Sequence, residues 1–246
     1  MIEHSFIFLE GIGRKTEERL WKMGIKTWND FLKSTIHSIS KKRKFYYNRR
    51  LEEAKVALIK DPSYFASVLP QSEMWRLYPI FKDSCCFLDI EVDSKGAIIL
   101  ITLFNRFESK TLVKGMHLDQ KNLSHELEKY DLIITYNGSA FDLPKIKKQF
   151  NLALKKPHID LKPLCQRLGL KGGLKDIEQA FNILRPQHLR GSPVQAWKAF
   201  WASGDKEYLD LLVQYNEEDA VNLYQLLEKC LLKLKQKYEL WPESIQ

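Results

Sequence analysis

Between residues 84 and 136 the apolar positions come in short runs separated by turn residues, the pattern of strands rather than helices. Cys85–Ile90 is an apolar run broken only by Asp89, as expected of a buried strand. Gly96 marks a turn. Ala97–Phe104 reads as a second strand, paired with the first as a hairpin, and Lys110–Lys114 as a third. Helical spacing recurs at Leu123–Tyr130, a short apolar strand follows at Leu132–Tyr136, and Asn137-Gly138 is turn chemistry. A helix is predicted from Asp142 toward Phe150, with Pro144 tolerated in its first turn. Gly191-Ser192-Pro193 reads as the N-cap and N1 of a helix on which Trp197, Phe200 and Trp201 recur at core-facing spacing. Tyr208–Leu234 predicts one long amphipathic helix, with Glu217 and Glu218 on its wet face.

The first 82 residues follow a different pattern. Gly11-Ile12-Gly13 precedes a helix with Leu20, Trp21 and Met23 as its apolar positions. Gly24 suits position C′, and Thr27 suits the N-cap of a short second helix that turns Trp28 and Phe31 inward. The basic stretch Lys41–Arg50 runs into Leu51–Leu58 at helical spacing. The division predicts a small helical module over residues 1–82 and an α/β domain over 83–246.

Composition narrows the classes. The chain has 246 residues, 44% hydrophobic and 28% charged, enough apolar mass for a core. No apolar run reaches the roughly 18–20 residues of a spanning helix. The N-terminus lacks a basic segment followed by an apolar stretch, so no signal peptide is expected. Cys85, Cys86, Cys165 and Cys230 form no CxxC pair, which argues against a disulfide framework or zinc ribbon and for a cytoplasmic setting.

Net charge is +8, and it is uneven. Residues 1–83 hold 16 Lys and Arg against 10 Asp and Glu, whereas residues 84–246 hold 23 against 21. A polyanionic partner is therefore expected, met first by the N-terminal module. No basic helix with an exposed apolar face points to a membrane surface. Phe45, Tyr46 and Tyr47 among the basic residues suit phosphate neutralisation with base stacking, and equally a solvated face whose aromatics dock on a neighbouring surface. The Gly11-x-Gly13 turn, followed by Arg14 and Lys15, directs backbone N–H groups at the positive end of a helix, an arrangement suited to anions.

Candidate chemistry lies in the second region. Asp89 and Glu91, two apart on a strand, share one face. Asp142 opens a helix after the Asn137-Gly138 turn. Tyr215 and Asp219, four apart on a helix, also share a face. Carboxylates gathered together repel and take up protons unless a hard cation, which prefers oxygen ligands, neutralises them. Lys171-Gly172-Gly173-Leu174-Lys175 is either a phosphate-guiding loop or a plain helix start, and Arg185 and Arg190 are candidate phosphate contacts. His158 and Asp160 read as a strand-edge pair, not as metal ligands.

Taken in order, these parts resemble the ribonuclease H-like 3′–5′ exonucleases of the DEDD type. Asp89 and Glu91 match the D-x-E motif, Asn137-Gly138-Ser139-Ala140-Phe141-Asp142 matches the second motif, and Tyr215 with Asp219 matches the Y-x3-D form of the third. The likeness is greatest to the predicted bacterial exonucleases called YprB-like, and Leu9-Glu10-Gly11-Ile12-Gly13 resembles a helix-hairpin-helix grip on a nucleic-acid backbone. Val92 departs from the usual threonine of D-I-E-T. The resemblance implies an α/β ribonuclease H-like mixed sheet of about five strands flanked by helices, and a 3′–5′ exonuclease acting on a single strand or 3′ end of DNA or RNA. It implies two Mg²⁺ or Mn²⁺ ions: Asp89 touching both, Glu91 and Asp219 holding the one that activates water, Asp142 the other, and Tyr215 orienting the attacking water. Asn137 and Phe141 would sit where the 3′-terminal nucleotide passes, and Lys175 would contact the strand. The alternatives are a catalytically inactive binding protein on the same fold and a structure-specific endonuclease. No protein partner is implied.

Overall fold

The computed structural model describes residues 1–186 and 192–238; Arg190 and Gly191 lie outside the described residues. The chain forms two compact units, one of Met1–Lys82 with Lys155–His158, the other of Asp83–Leu154 with Ile159 onward. Among the described residues no helix is long and apolar enough to cross a membrane.

The first unit is helical: α1 (Arg14–Lys22), α2 (Trp28–Lys33), α3 (Lys41–Lys60), α4 (Ser63–Val68) and α5 (Tyr78–Phe81). Gly13 is the N-cap of α1, and Thr27 closes a capping box with Asp30 at the start of α2. Its interior contains charge. Glu17, fully buried, accepts from Ser5 Oγ, the Phe6 N–H and Arg76 Nη2 at 2.9, 2.7 and 2.8 Å. Arg76 also bonds Glu73, which pairs with Arg14 at 2.9 Å. Each buried charge thus has a counter-charge, the condition under which burial is tolerated. Trp28 and Phe31 are buried as expected, but Met23 is 53% exposed, so α1 turns inward on Leu20 and Trp21 beside the buried Glu17. On α3, Tyr47 is buried against Phe31 while Phe45 is 77% exposed.

The second unit is built on a five-stranded mixed sheet, β1 (Cys85–Val92), β2 (Ile98–Phe104), β3 (Ser109–Val113), β4 (Leu132–Thr135) and β5 (His158–Asp160), in the order β3-β2-β1-β4-β5. β1–β2 and β2–β3 are antiparallel, and β1–β4 is parallel. Helices α6 (Gln120–Glu128), α7 (Asp142–Phe150), α8 (Leu161–Arg167), α9 (Leu174–Ala180), α10 (Pro193–Ser203) and α11 (Lys206–Tyr238) flank it. The expected mixed sheet flanked by helices is the fold observed.

Alternation along β1 sets the two faces. Cys86, Leu88 and Ile90 join Ile101, Leu103 and Ile133 in a core completed by Leu123 and Leu127 of α6 and Ile146 of α7. Phe87, Asp89 and Glu91 point the other way, with cross-strand partners Phe104, Thr102 and Leu100. On that face Leu100 packs with Trp197 of α10 and with Leu209 and Leu212 of α11, and Tyr224 of α11 stacks edgewise on Phe87 at 5.6 Å. Trp197 is core as expected, whereas Trp201 is 65% exposed. Two strand residues advance about 6.6 Å and five helical residues about 7.5 Å. With Tyr224 over Phe87, α11 therefore brings residue 219 over residue 89.

Helix α7 is fixed at both ends. Gln149 bonds both the N–H and the carbonyl of Ile98, at 2.7 and 3.0 Å, and Lys145 donates to the Gly96 carbonyl. At its start the chain turns at Asn137, in the left-handed region with φ 64. Gly138 follows with its N–H on Thr135 Oγ1 at 3.0 Å. A Cβ at 138 would stand 2.0 Å from Thr135 Oγ1 and 2.6 Å from its Cβ, and Thr135 is fully buried and β-branched. Gly138→Ala is expected to destabilise the protein by about 1–3 kcal/mol through this overlap, read by urea denaturation; an unchanged midpoint would contradict the packing described.

Candidate active site

One carboxylate oxygen each from Asp89, Glu91 and Asp219 lies within 4.8 Å of the others. Two come from the end of β1, where the strand passes from buried to half-buried and a register shift falls between Glu91 and Val92. The third comes from α11. Asn216, fully buried one turn before Asp219, donates its side-chain amide to Asp89 Oδ2 and fixes that carboxylate. Asp142, buried at the first position of α7, stands outside the triangle of oxygens but close enough for its charge to act on Asp89 and Glu91.

The electrostatics follow from this crowding. Burial, then the charges of Asp219, Asp142 and Glu91, push the Asp89 carboxyl well above the usual range. Burial and Asp219 raise Glu91 to about 7. Burial raises Asp142 to about 7, against backbone N–H groups that favour its charged form. Burial raises Asp219 to about 6, with Arg185 pulling the other way. Burial, supplemented by Asp219, also raises Tyr215, so its phenol is a hydrogen-bond donor at neutral pH.

Basic groups ring the acids. Lys175 Nζ lies 5.1 Å from the Tyr215 ring centroid and lowers Glu91. Arg185 is in ion-pair contact with Asp219 Oδ1 and bonds Glu178 at 2.7 Å. Phe141 is 39% exposed, with Lys145 Nζ 4.9 Å from its ring. The Asn137 turn is tied by Asp160, which accepts the N–H of Asn137 at 2.7 Å and of Ser139 at 3.1 Å while capping α8 through Lys162. Asp160 is thus more than a strand-edge residue: it holds the turn that delivers Asp142. The other expected contacts, Gly11, Gly13, Arg14 and Lys15, meet at the start of α1 in the first unit. There Gly11 has φ +76, and a Cβ on it would stand 2.5 Å from Arg43 Nη2.

Asn216, Asp160 and Arg185 go beyond the roles read from the sequence, as does Glu217. Expected on the wet face, Glu217 accepts from Thr111 Oγ1 at 3.0 Å, and Thr111 bonds Thr102 at 2.8 Å, tying α11 to β3. The position of Asn216, three before Asp219 on one helix face, was the available signal.

The donor set fits a hard divalent cation: the available donors are carboxylate oxygens, and Asp219 Oδ1, though buried, has no aligned hydrogen-bond donor among the described residues. Folded pKa values raised above unfolded ones mean that the native state binds extra protons between the two. The cluster's destabilisation is absent below about pH 4 and develops as pH rises through about 6 to 7. Asp89→Asn removes one charge while keeping an acceptor for Asn216. In chelator it is expected to melt about 2–4 °C above wild type at pH 8, roughly 1 kcal/mol, with the gain vanishing toward pH 4. Thermal melts across that range check this, and a variant less stable than wild type at pH 8 would contradict it.

A family model described as RNase_H superfamily matches residues 86–231. No curated protein matches the chain. Among solved structures, the family B DNA polymerase from the hyperthermophilic archaeon Pyrobaculum calidifontis is similar at 14% identity and a TM-score of 0.47, over 60% of this chain and 24% of the polymerase chain. The family match takes in both Asp89 with Glu91 and Tyr215 with Asp219, and it spans more than half of the residues. The chain belongs to the RNase H superfamily.

Proposed function

We propose that this chain is a divalent-metal-dependent 3′–5′ exonuclease of the YprB-like, DEDDy type, hydrolysing phosphodiester bonds of DNA or RNA. The observation that carries the reading is the meeting of Asp89, Glu91 and Asp219 from two distant elements, within 4.8 Å, with Asp142 beside them. Holding so many carboxylates together costs stability unless they serve a cation.

In this reading Asp89, Glu91, Asp142 and Asp219 hold two Mg²⁺ or Mn²⁺ ions. Such ions, when bound, lower the pKa of water and stabilise the leaving oxygen. Tyr215, protonated at neutral pH, donates a hydrogen bond that orients the attacking water. Asn216 keeps Asp89 in place. Phe141 offers its exposed ring to the terminal base, Asn137 lies on the same turn, and Lys175 meets a phosphate beside Glu91. Residues 1–82 form the nucleic-acid-binding module, with the Gly11–Gly13 turn, Arg14 and Lys15 on the backbone as in a helix-hairpin-helix. The shared glutamate partner of Arg14 and Arg76 holds the Arg14 guanidinium at the start of α1.

End-labelled single strands of DNA and RNA are expected to lose nucleoside monophosphates from the 3′ end when Mg²⁺ or Mn²⁺ is present, and to remain intact in chelator. Asp89→Asn should lower the rate at least about a hundredfold, and Asn216→Ala, acting through Asp89, about 10–100-fold. No metal-dependent shortening of either polymer would sink the reading, and so would closed circular substrates cut as fast as strands with free ends.

A further inference from the structure

Arg185 has two carboxylate partners, Glu178 and Asp219, held in different ways. Its Nε and Nη2 grip the Glu178 carboxylate at 2.5 and 2.7 Å in a two-pronged pair, and Glu178 is buried. The backbone builds this pair locally. Helix α9 ends with Asn182 in the left-handed region at φ 53, the Ile183 N–H returns to the Glu178 carbonyl at 2.9 Å, and Ile183 is buried. The chain therefore doubles back over the turn that carries Glu178. The contact of Arg185 Nη2 with Asp219 Oδ1 is of another kind. It is an ion pair without hydrogen-bond alignment, and both Asp219 Oδ1 and Arg185 Nη1 are buried with no hydrogen-bond partner among the described residues.

The second partner, Asp219, is a carboxylate assigned above to the metal. A guanidinium and a divalent ion do not share one carboxylate cheaply. At about 6 Å, charges of +1 and +2 repel enough to shift affinity about tenfold, even with the dielectric of water. A guanidinium fork also matches a phosphate as well as it matches a carboxylate. Resting on the nuclease reading above, we propose that Arg185, anchored by Glu178, is an internal counter-cation for Asp219 that exchanges this carboxylate for a strand phosphate, so that metal and nucleic acid bind cooperatively. Arg185 is a positioning residue in the metal-free protein and a phosphate contact in the complex. Linkage makes the effect reciprocal: the strand tightens metal binding by the factor by which metal tightens strand binding.

The test uses the full chain. Calorimetric titration with Mn²⁺ is run alone and with a cleavage-resistant phosphorothioate single strand, in DNA and in RNA form. Wild type is expected to bind Mn²⁺ about tenfold more tightly with the strand than without it. Arg185→Met should bind Mn²⁺ alone about tenfold more tightly than wild type and lose the strand dependence. The double variant Arg185→Gln with Glu178→Gln removes the buried pair without changing net charge. It guards against misfolding of the single variant and should shift Mn²⁺ affinity in the same direction. Thermal melting in chelator verifies that each variant is folded. Wild type and both variants binding Mn²⁺ with equal affinity, or variants that keep the full strand dependence, would overturn the proposal while leaving the nuclease reading intact. Wild type that binds no Mn²⁺, with or without a strand, would overturn the nuclease reading and this inference with it.

Discussion

Asp89, Glu91 and Asp219 repel one another, and the second unit is organised around holding them where they repel. Charges of the same sign a few ångströms apart, half shielded from water, raise one another's pKa and lower stability as they ionise. The cluster is kept because its three members sit on elements that the core fixes for other reasons. β1 is the central strand, hydrogen-bonded on both sides and buried along most of its length. α11 is locked to the same face by Tyr224 on Phe87 and by Leu209 and Leu212 near Leu100. The apolar contacts supply the stability that the acids remove.

Around this conflict the polar groups divide the work. Asn216 fixes the orientation of Asp89, Asp160 ties down the turn before Asp142, and Gln149 fastens the far end of α7 to the first residue of β2. Arg185 supplies partial neutralisation at Asp219, and Lys175 does so at Glu91. The backbone around the acids is thus tied at several points, while their charge is only partly balanced by Arg185 and Lys175.

Much of this was legible in the sequence because two periods carry it. The run Cys85–Ile90 fixed a strand, and period two put Asp89 and Glu91 on one face; spacing by four put Tyr215 and Asp219 on one side of a helix. Helix and strand boundaries fell within a few residues of expectation. The supporting residues were harder to read, since their roles arise from contacts between elements far apart in the chain. Asn216 acts on a residue 127 positions away, and Glu217 on one 106 positions away. Asp160 was legible only as half of a strand-edge pair, not as the cap of α8 or the acceptor for the Asn137 turn. Trp201 and Met23 followed the apolar spacing of their helices yet lie exposed, because spacing marks a face and not where its contact ends.

The account rests on the acids being a cation site, and a crystal soaked in Mn²⁺ with anomalous data collected tests that most directly. The account predicts anomalous density bonded to oxygens of Asp89, Glu91 and Asp219, a second peak at Asp142, and the Arg185 guanidinium drawn off Asp219 while still on Glu178. Millimolar Mn²⁺ that leaves no density at the cluster, with Arg185 still paired to Asp219, would contradict it.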